Sequence, residues 1–212
     1  MTSDAVSLQR SLASLRRFAR EARRTETCGL CGTELLADHA HVLEMSTQNL
    51  VCCCQACAIL FGNQTQGRFR GLPERNRYLP DVRMTDAEWD ALDIPVDLAF
   101  VYRSAATEKM VAYYPGPFGV VESSLELDAW EEFVRTHAEL SHLEPEVEAV
   151  LVQKREGKRD FFRVPITTCR KLIGLLRRNW EGLSGGTRVR QEIDDFFDRL
   201  RDESNPTRDS RS

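Results

Sequence analysis

Two Cys-x2-Cys pairs constrain this sequence most strongly: Cys28 with Cys31, and Cys54 with Cys57, with 22 residues between the pairs. A two-residue gap within a tight turn directs both thiolates of a pair towards one point, and a second pair completes a tetrahedron of sulfur around a metal ion. The spacing is typical of a structural zinc site, and it predicts a small module at residues 25–70 that folds around the ion. Tetrahedral sulfur also suits iron, so Zn²⁺ is the preferred ion and iron the alternative.

Two further cysteines, Cys52 and Cys53, directly precede the second pair. In an extended segment Cys52 and Cys54 point to one side and Cys53 to the other. Cys54 with Cys57 is the preferred pair because it repeats the gap of the first pair. Cys52 is an alternative ligand, and Cys53 is expected to pack as a small apolar residue. A disulfide framework competes with this interpretation, but clustered cysteines in a reducing compartment favour metal.

Histidine and asparagine side chains lie between the two pairs, in the order His39, His41, Asn49. Followed by the second cysteine pair, this order resembles a treble-clef zinc fold of the HNH nuclease type. The resemblance implies that His41 would be the general base and that Asn49 would position the hairpin. Such a nuclease needs a metal-binding His after the last cysteine, where this chain has Ala58, so nuclease activity is not expected. The competing interpretation places His39 and His41 on one face of a hairpin strand beside the metal, with His41 as an alternative ligand.

The amino-acid composition is ordinary for a globular protein, and the net charge narrows the range of partners. The 212 residues are 42% hydrophobic and 29% charged. No apolar run approaches the roughly 20 residues that span a bilayer, so no membrane span is expected. The formal net charge of −4 weighs against nucleic acid as the main partner. The N-terminus lacks the pattern of a signal peptide, which predicts a cytoplasmic protein.

The chain is expected to comprise five segments, which differ in hydrophobic period and in polarity. They are an N-terminal amphipathic helix (1–24), the Cys₄ module (25–70), a linker with a short helix (71–95), an α+β domain (96–203) and a disordered tail (204–212). Arginines on the first helix are read as a solvated face, although a basic helix could also bind phosphate or an acidic partner. Thr85 and Glu88 form a capping box for the short helix.

Runs of β-branched and aromatic residues predict strands in the α+β domain, and apolar stripes of helical period predict its helices. The predicted strands are 96–102, 110–114, 120–125, 147–153 and 160–164. The short connections between them favour antiparallel pairing. One helix is predicted over 127–140, and two more are expected to be capped by Thr167 and Thr187. The fold class is therefore α+β: an N-terminal helix, a small zinc-ribbon or treble-clef module, and then antiparallel strands with packed helices.

The sequence lacks the motifs of common enzyme classes. It contains no Gly-x-Ser-x-Gly, no dinucleotide fingerprint and no His-Glu-x-x-His. The segment from Tyr113 to Gly119 could line a pocket, but it is read as a rigid turn between strands. Cys169 is far from the cysteine cluster and is read as a core residue. These observations predict a protein that is not an enzyme.

Four motifs, spread over residues 14–201, resemble a known family when they are taken together. They are Cys28-x2-Cys31; His39-Ala-His41 with Cys52-x-Cys54-x2-Cys57-Ala-Ile-Leu-Phe61; Val111-Ala-Tyr-Tyr-Pro115 with Glu122-Ser123; and Phe162-Arg-Val-Pro165 through Trp180 to Gly186. The combination resembles a bacterial family of unknown function, usually seen as small accessory proteins encoded beside nickel–iron hydrogenases. This resemblance implies a role beside hydrogenase assembly or function, and it implies no established reaction.

Several functional hypotheses follow. The first is a non-enzymatic zinc-binding accessory protein that docks on a protein partner, either a hydrogenase subunit or a maturation factor. The alternative is a rubredoxin-like iron protein for electron transfer or redox protection. The second alternative is a relic of an HNH-type nuclease. Delivery of a metal through Cys52 or Cys53 as a transient ligand stays open beside the static site.

Overall fold

The computed structural model describes residues 26–64, 67–116, 119–123, 128–180 and 186–204. The chain divides into two compact units, residues 1–69 and residues 70–212. The predicted N-terminal helix (1–24) lies outside the described residues, as does the predicted tail except for Ser204. The class is α+β with antiparallel sheets, as predicted. Within the described ranges no helix has both the length and the apolar character needed to cross a membrane.

The first unit contains a small antiparallel sheet and one helix. Its elements are β1 (Ala40–Glu44), β2 (Asn49–Cys53) and α1 (Gln55–Gly62), and β3 (Phe69–Gly71) begins at its last residue. The strand order is β2-β1-β3, and β3 leads the chain into the second unit. An isolated antiparallel bridge between Thr27 and Glu34 closes the turn that holds the first cysteine pair, which we call the first cysteine turn (residues 27–34).

The β1–β2 hairpin has two chemically different faces because side chains alternate along each strand. On one face Val42 and Cys53 are fully buried and pack with Cys28 and Cys57.

The turn of the hairpin is tight: Gln48 has a φ of 57°, and its N–H donates to the Glu44 carbonyl at 2.8 Å. This turn sets which residues of β1 and β2 lie opposite each other.

The second unit is built on a six-stranded antiparallel sheet of order β4-β9-β8-β5-β6-β7. Its strands are β4 (Arg77–Tyr78), β5 (Leu98–Arg103), β6 (Met110–Gly116), β7 (Gly119–Glu122), β8 (Glu148–Arg155) and β9 (Lys158–Pro165). Both faces of its central strands are buried. Val150 and Val152 of β8 face one core cluster, whereas Ala149 and Leu151 face another.

Helices cover both faces of this sheet. They are α2 (Asp86–Asp90), α3 (Asp128–Thr136), a short 3₁₀ helix (Ala138–Leu140), α4 (Ile166–Asn179) and α5 (Gly186–Ser204). Trp89 of α2 and Trp130 of α3 belong to one core cluster, and Cys169 of α4 and Phe197 of α5 belong to the other. The segment 71–95, expected to be a linker, contributes buried residues such as Val82 to the first of these clusters.

Some predicted helix bounds are wrong for local reasons. The capping box of Thr85 and Glu88 is confirmed. The helix predicted over 127–140 stops at Thr136, because the Nδ1 atom of His137 lies 3.0 Å from the Phe133 carbonyl oxygen and the His137 N–H donates to Val134 instead. Neither predicted threonine is the residue before its helix, since α4 begins at Ile166 directly after Pro165 and α5 begins at Gly186.

Candidate metal centre

Backbone hydrogen bonds shape the first cysteine turn. The N–H of Cys28 donates to the Thr33 carbonyl at 2.8 Å, and the N–H of Gly32 donates to the Cys28 carbonyl at 2.8 Å. Gly32 has a φ of 79°, a conformation that glycine adopts without steric cost. The chain therefore reverses within a few residues, which brings the thiols of Cys28 and Cys31 to one side of the turn.

The second cysteine pair lies where β2 passes into α1. Cys54 is the residue before the helix, with an extended backbone (φ −73°, ψ 160°), and Cys57 lies in the first helical turn. The Ala58 N–H donates to the Cys54 carbonyl at 2.9 Å. The free N–H groups and the dipole at a helix N-terminus favour negative charge, so this position suits thiolates.

Gly29 joins the two halves of the site. Its N–H donates to the Cys52 carbonyl at 2.9 Å. A Cβ at this position would lie only 2.7 Å from the Val51 Cγ1 atom. The close approach of the first cysteine turn to β2 therefore depends on the absence of a side chain at Gly29.

The structure brings together the four cysteines that the spacing selects. The Sγ atoms of Cys28, Cys31, Cys54 and Cys57 all lie within 4.8 Å of one another, and those of Cys31 and Cys54 are 3.8 Å apart. Zn–S bonds of about 2.3 Å in a tetrahedron place sulfur atoms roughly 3.8 Å apart, so the donor set fits one closed tetrahedral ion. The same four sulfurs would accept Zn²⁺ or iron.

The protonation of these thiols is uneven. Burial raises the pKa of Cys28, but the backbone N–H groups of Cys54, Cys31 and Leu30 outweigh it and bring that pKa down to about 6. The Thr33 hydroxyl and N–H lower the pKa of Cys31. Burial and the neighbouring thiols raise the pKa of Cys57. A divalent ion at the centre of the cluster would favour the thiolate form of Cys57, which burial otherwise disfavours.

Cys53, the cysteine expected to be apolar packing, is fully buried. Its Sγ atom lies 3.4 Å from the Ala40 carbonyl oxygen and donates to it. Burial raises the pKa of Cys53 to about 11, so the neutral thiol persists at neutral pH. Cys53 is a packing residue of the site.

The two alternative ligands, Cys52 and His41, are not part of the four-sulfur cluster. They lie instead with His39 in a separate group on the hairpin. The alternation of His39 and His41 was visible in the sequence, but their proximity to Cys52 depends on the register of the hairpin. That register pairs His41 with Cys52.

Other candidate positions offer little further chemistry. Ala58 lies on α1 directly after Cys57 and has no ligand atom where a nuclease of the HNH type needs its histidine. In the segment from Tyr113 to Gly119, residues 113–116 end β6 and Gly119 begins β7. The Tyr113 ring stacks on Phe100 at a centroid distance of 5.4 Å, and its hydroxyl donates to Glu122 at 2.8 Å. The glycines at the other end of the segment line a cavity, as the alternative interpretation expected, together with Val120, Ile173, Leu176, Arg177 and Trp180.

Comparisons with known proteins give one match. Searches of curated proteins and of solved structures each found no match. Residues 27–204 match a family model described as "Family of unknown function (DUF5947)", and the matched region includes the four clustered cysteines and nearly all of the second unit. The chain therefore belongs to this family of unknown function.

Proposed function

We propose that this chain is a non-enzymatic, cytoplasmic zinc-binding accessory protein that supports the assembly or function of a nickel–iron hydrogenase through protein–protein contacts. The closed Cys₄ cluster supports the structural role of the metal, because four protein sulfurs leave no coordination position for a substrate. The motif resemblance described above supports the hydrogenase setting, with a hydrogenase subunit or a maturation factor as the partner.

The proposal rests mainly on the exposed apolar surface of helix α1. The helix begins beside Cys54 and includes Cys57 in its first turn. It then presents Ile59, Leu60 and Phe61, whose exposed fractions are 57%, 64% and 39%. Consecutive exposed apolar side chains of this size are typical of a surface that another protein covers.

The position of this apolar surface would depend on the bound metal. An eight-residue helix is too short to persist alone in water. The ligands at its first turn fix its position, so the ion would hold the three apolar side chains in the arrangement that the partner recognises. We therefore expect loss of the ion to abolish docking.

Elemental analysis and a visible spectrum of protein purified without added metal test the identity of the ion. About one zinc per chain and no colour would support the proposal. Near-stoichiometric iron with a red, bleachable chromophore would replace it with the rubredoxin-like alternative, which the same four sulfurs permit. Absence of any bound metal would overturn the structural role of the cluster.

Co-purification with hydrogenase subunits and maturation factors tests the docking surface. Leu60→Ser should retain the metal and lose the partner, whereas Cys57→Ala should lose both. Val121→Ser is the matched control, since Val121 is an exposed apolar residue of β7 (39% exposed) and lies outside α1. Capture of the partner by the Leu60→Ser and Cys57→Ala variants at the wild-type level would refute the proposed surface.

A further inference from the structure

We propose that His39, His41 and Cys52 form a second metal site, on the face of the β1–β2 hairpin opposite to Val42 and Cys53. Each residue offers one ligand atom, and these atoms all lie within 4.8 Å of one another. The site would bind a divalent transition-metal ion such as Zn²⁺ and leave one coordination position open. This inference is independent of the proposed function and assigns separate chemistry to residues that the Cys₄ site does not use.

The strand pleat explains why these three side chains converge. His39 and His41 are two residues apart, so they project to the same side of the chain. His41 lies directly opposite Cys52 in the antiparallel register, and directly opposed residues share a face of the sheet. The next pair along, Ala40 with Cys53, belongs to the other face, which packs around the Cys₄ cluster. The hairpin thus keeps His41 and Cys52 together on one face and places Cys53 on the other.

The spacing of the ligand atoms is close to that of a coordination sphere. Zinc binds histidine nitrogen at about 2.0 Å and thiolate sulfur at about 2.3 Å, which places tetrahedral ligands roughly 3.3–3.8 Å apart. The rings of His39 and His41 are already adjacent, with centroids 4.7 Å apart. The observed limit of 4.8 Å exceeds this range by about 1 Å, so the three side chains would have to close on the ion by small rotations.

The surroundings of His39 prepare one ring nitrogen for a metal. Its Nδ1 atom lies 2.9 Å from the Leu36 carbonyl oxygen. A carbonyl only accepts hydrogen bonds, so Nδ1 carries the proton, and the lone pair of a neutral ring is on Nε2. A backbone carbonyl on the far nitrogen is the usual means of orienting a metal-binding histidine.

The Nε2 atom of His39 is also buried without a hydrogen bond. The side chain is only 8% exposed, and Nε2 has no hydrogen-bond partner among the described residues. Buried polar atoms in folded proteins are nearly always satisfied, and an orphan of this kind calls for an explanation. An ion shared with His41 and Cys52 would satisfy it.

Glu26 supplies the compensating charge. Its Oε2 atom lies 3.5 Å from the Nε2 atom of His39. A divalent ion held by two neutral imidazoles and one thiolate retains one positive charge, and the Glu26 carboxylate neutralises it. The contact between His39 and Glu26 alone is the competing arrangement, and it requires neither His41 nor Cys52.

The two sites would differ in how they exchange metal. Four sulfurs enclose the first ion, whereas three protein ligands leave the second ion open to water or to a donor from outside. Imidazole and thiolate together suit Zn²⁺, Co²⁺ and Ni²⁺. The second ion would therefore be the exchangeable one.

Titration with Co²⁺ tests the second site on full-length protein that retains its first ion. About one further equivalent should bind, with d–d bands and a thiolate-to-cobalt charge-transfer band. Cys52→Ser should abolish the charge-transfer band, and His39→Asn and His41→Asn should each weaken binding. Glu26→Gln should weaken it by about tenfold, as the loss of an outer partner of a metal site does.

The controls separate loss of the site from loss of the fold. His142→Asn is the matched control, and it should leave Co²⁺ binding unchanged. Content of the first ion reports folding of the unit in every variant. Where Cys52→Ser loses that ion, wild-type protein decides the matter, because Co²⁺ should protect the half-buried Cys52 thiol from alkylation. Absence of a second bound cobalt, a charge-transfer band that survives in a folded Cys52→Ser variant, or equal alkylation of Cys52 with and without Co²⁺ would overturn the proposal.

Discussion

Replacing Gly29 by alanine tests whether the first cysteine turn must lie against β2 for the metal centre to form. The added Cβ would lie 2.7 Å from Val51 Cγ1 and 3.5 Å from the Cys52 carbonyl oxygen. Val51 yields little, because a β-branched side chain has few alternative rotamers. The turn must therefore move away from β2, which lengthens the 2.9 Å hydrogen bond from the Gly29 N–H to Cys52.

The size of the effect follows from overpacking. An extra methyl group in a tightly packed position typically costs about 1–3 kcal/mol. Ion binding and folding are coupled in a module of this kind, so the strain lowers the apparent affinity for zinc by the same free energy. Since 1.4 kcal/mol corresponds to a factor of ten, the Gly29→Ala variant should bind zinc about 5- to 150-fold more weakly.

Competition with a chromophoric chelator measures this change. The double variant Gly29→Ala/Val51→Ala should recover much of the affinity relative to Val51→Ala alone, because the clashing Cγ1 atom is gone. Gly174→Ala is the matched control, since a Cβ at this position in α4 meets no heavy atom of the described residues within 4 Å, apart from its chain neighbours and the backbone of its own helix. An unchanged affinity in Gly29→Ala, or no recovery in the double variant, would refute the reasoning.

Three further predictions concern the two units. Chelation of the metal should unfold residues 26–64, which proteolysis would detect. The tryptophan fluorescence should stay unchanged, because all three tryptophans belong to the second unit. Fluorescence that changes in step with proteolysis of the first unit would contradict this expectation. Glu148→Ala should destabilise the second unit by about 3–5 kcal/mol in urea denaturation, because it leaves the largely buried Arg163 without its ion-pair partner. A decrease of less than about 1 kcal/mol in the free energy of unfolding would show that the pair is dispensable. The Arg159 guanidinium lowers the pKa of Asp86 below its ordinary value of 3.8. The ionised Asp86 carboxylate therefore stabilises the fold above pH 3.8, and this stabilisation is lost as the pH falls through the lowered pKa. Asp86→Asn should therefore flatten the acid limb of a plot of unfolding free energy against pH, and an unaltered limb would contradict this assignment.

The parts of this structure that the sequence predicts well are governed by local rules. The spacing within each cysteine pair selects the four residues whose sulfurs the fold brings together. The capping box at Thr85 follows from side chains three residues apart. The α+β class follows from hydrophobic period and short connections, and it is confirmed.

The parts that the sequence does not predict depend on competition between hydrogen-bonding groups or on the register of strand pairing. His137 ends a helix because its ring takes the Phe133 carbonyl, an outcome that apolar periodicity does not encode. The convergence of His39 with Cys52 depends on which residues face each other across the hairpin. A shift by one residue in that pairing gives a different group, and composition alone does not distinguish the two.

The turn between β1 and β2 consequently decides which thiol lies in which group of candidate ligands. Glu44 and Gln48 close it through a 2.8 Å backbone hydrogen bond, and the Thr47 hydroxyl donates to the Glu44 carboxylate at 2.7 Å. A slip of one residue would turn every side chain of β2 to the opposite face. Cys53 would then stand beside the histidines, and Cys52 would enter the apolar packing. A variant with one residue added or removed here would keep all of the clustered cysteines and histidines in its sequence and still bring different side chains together. The length of a turn that contains none of them therefore helps to determine both groups.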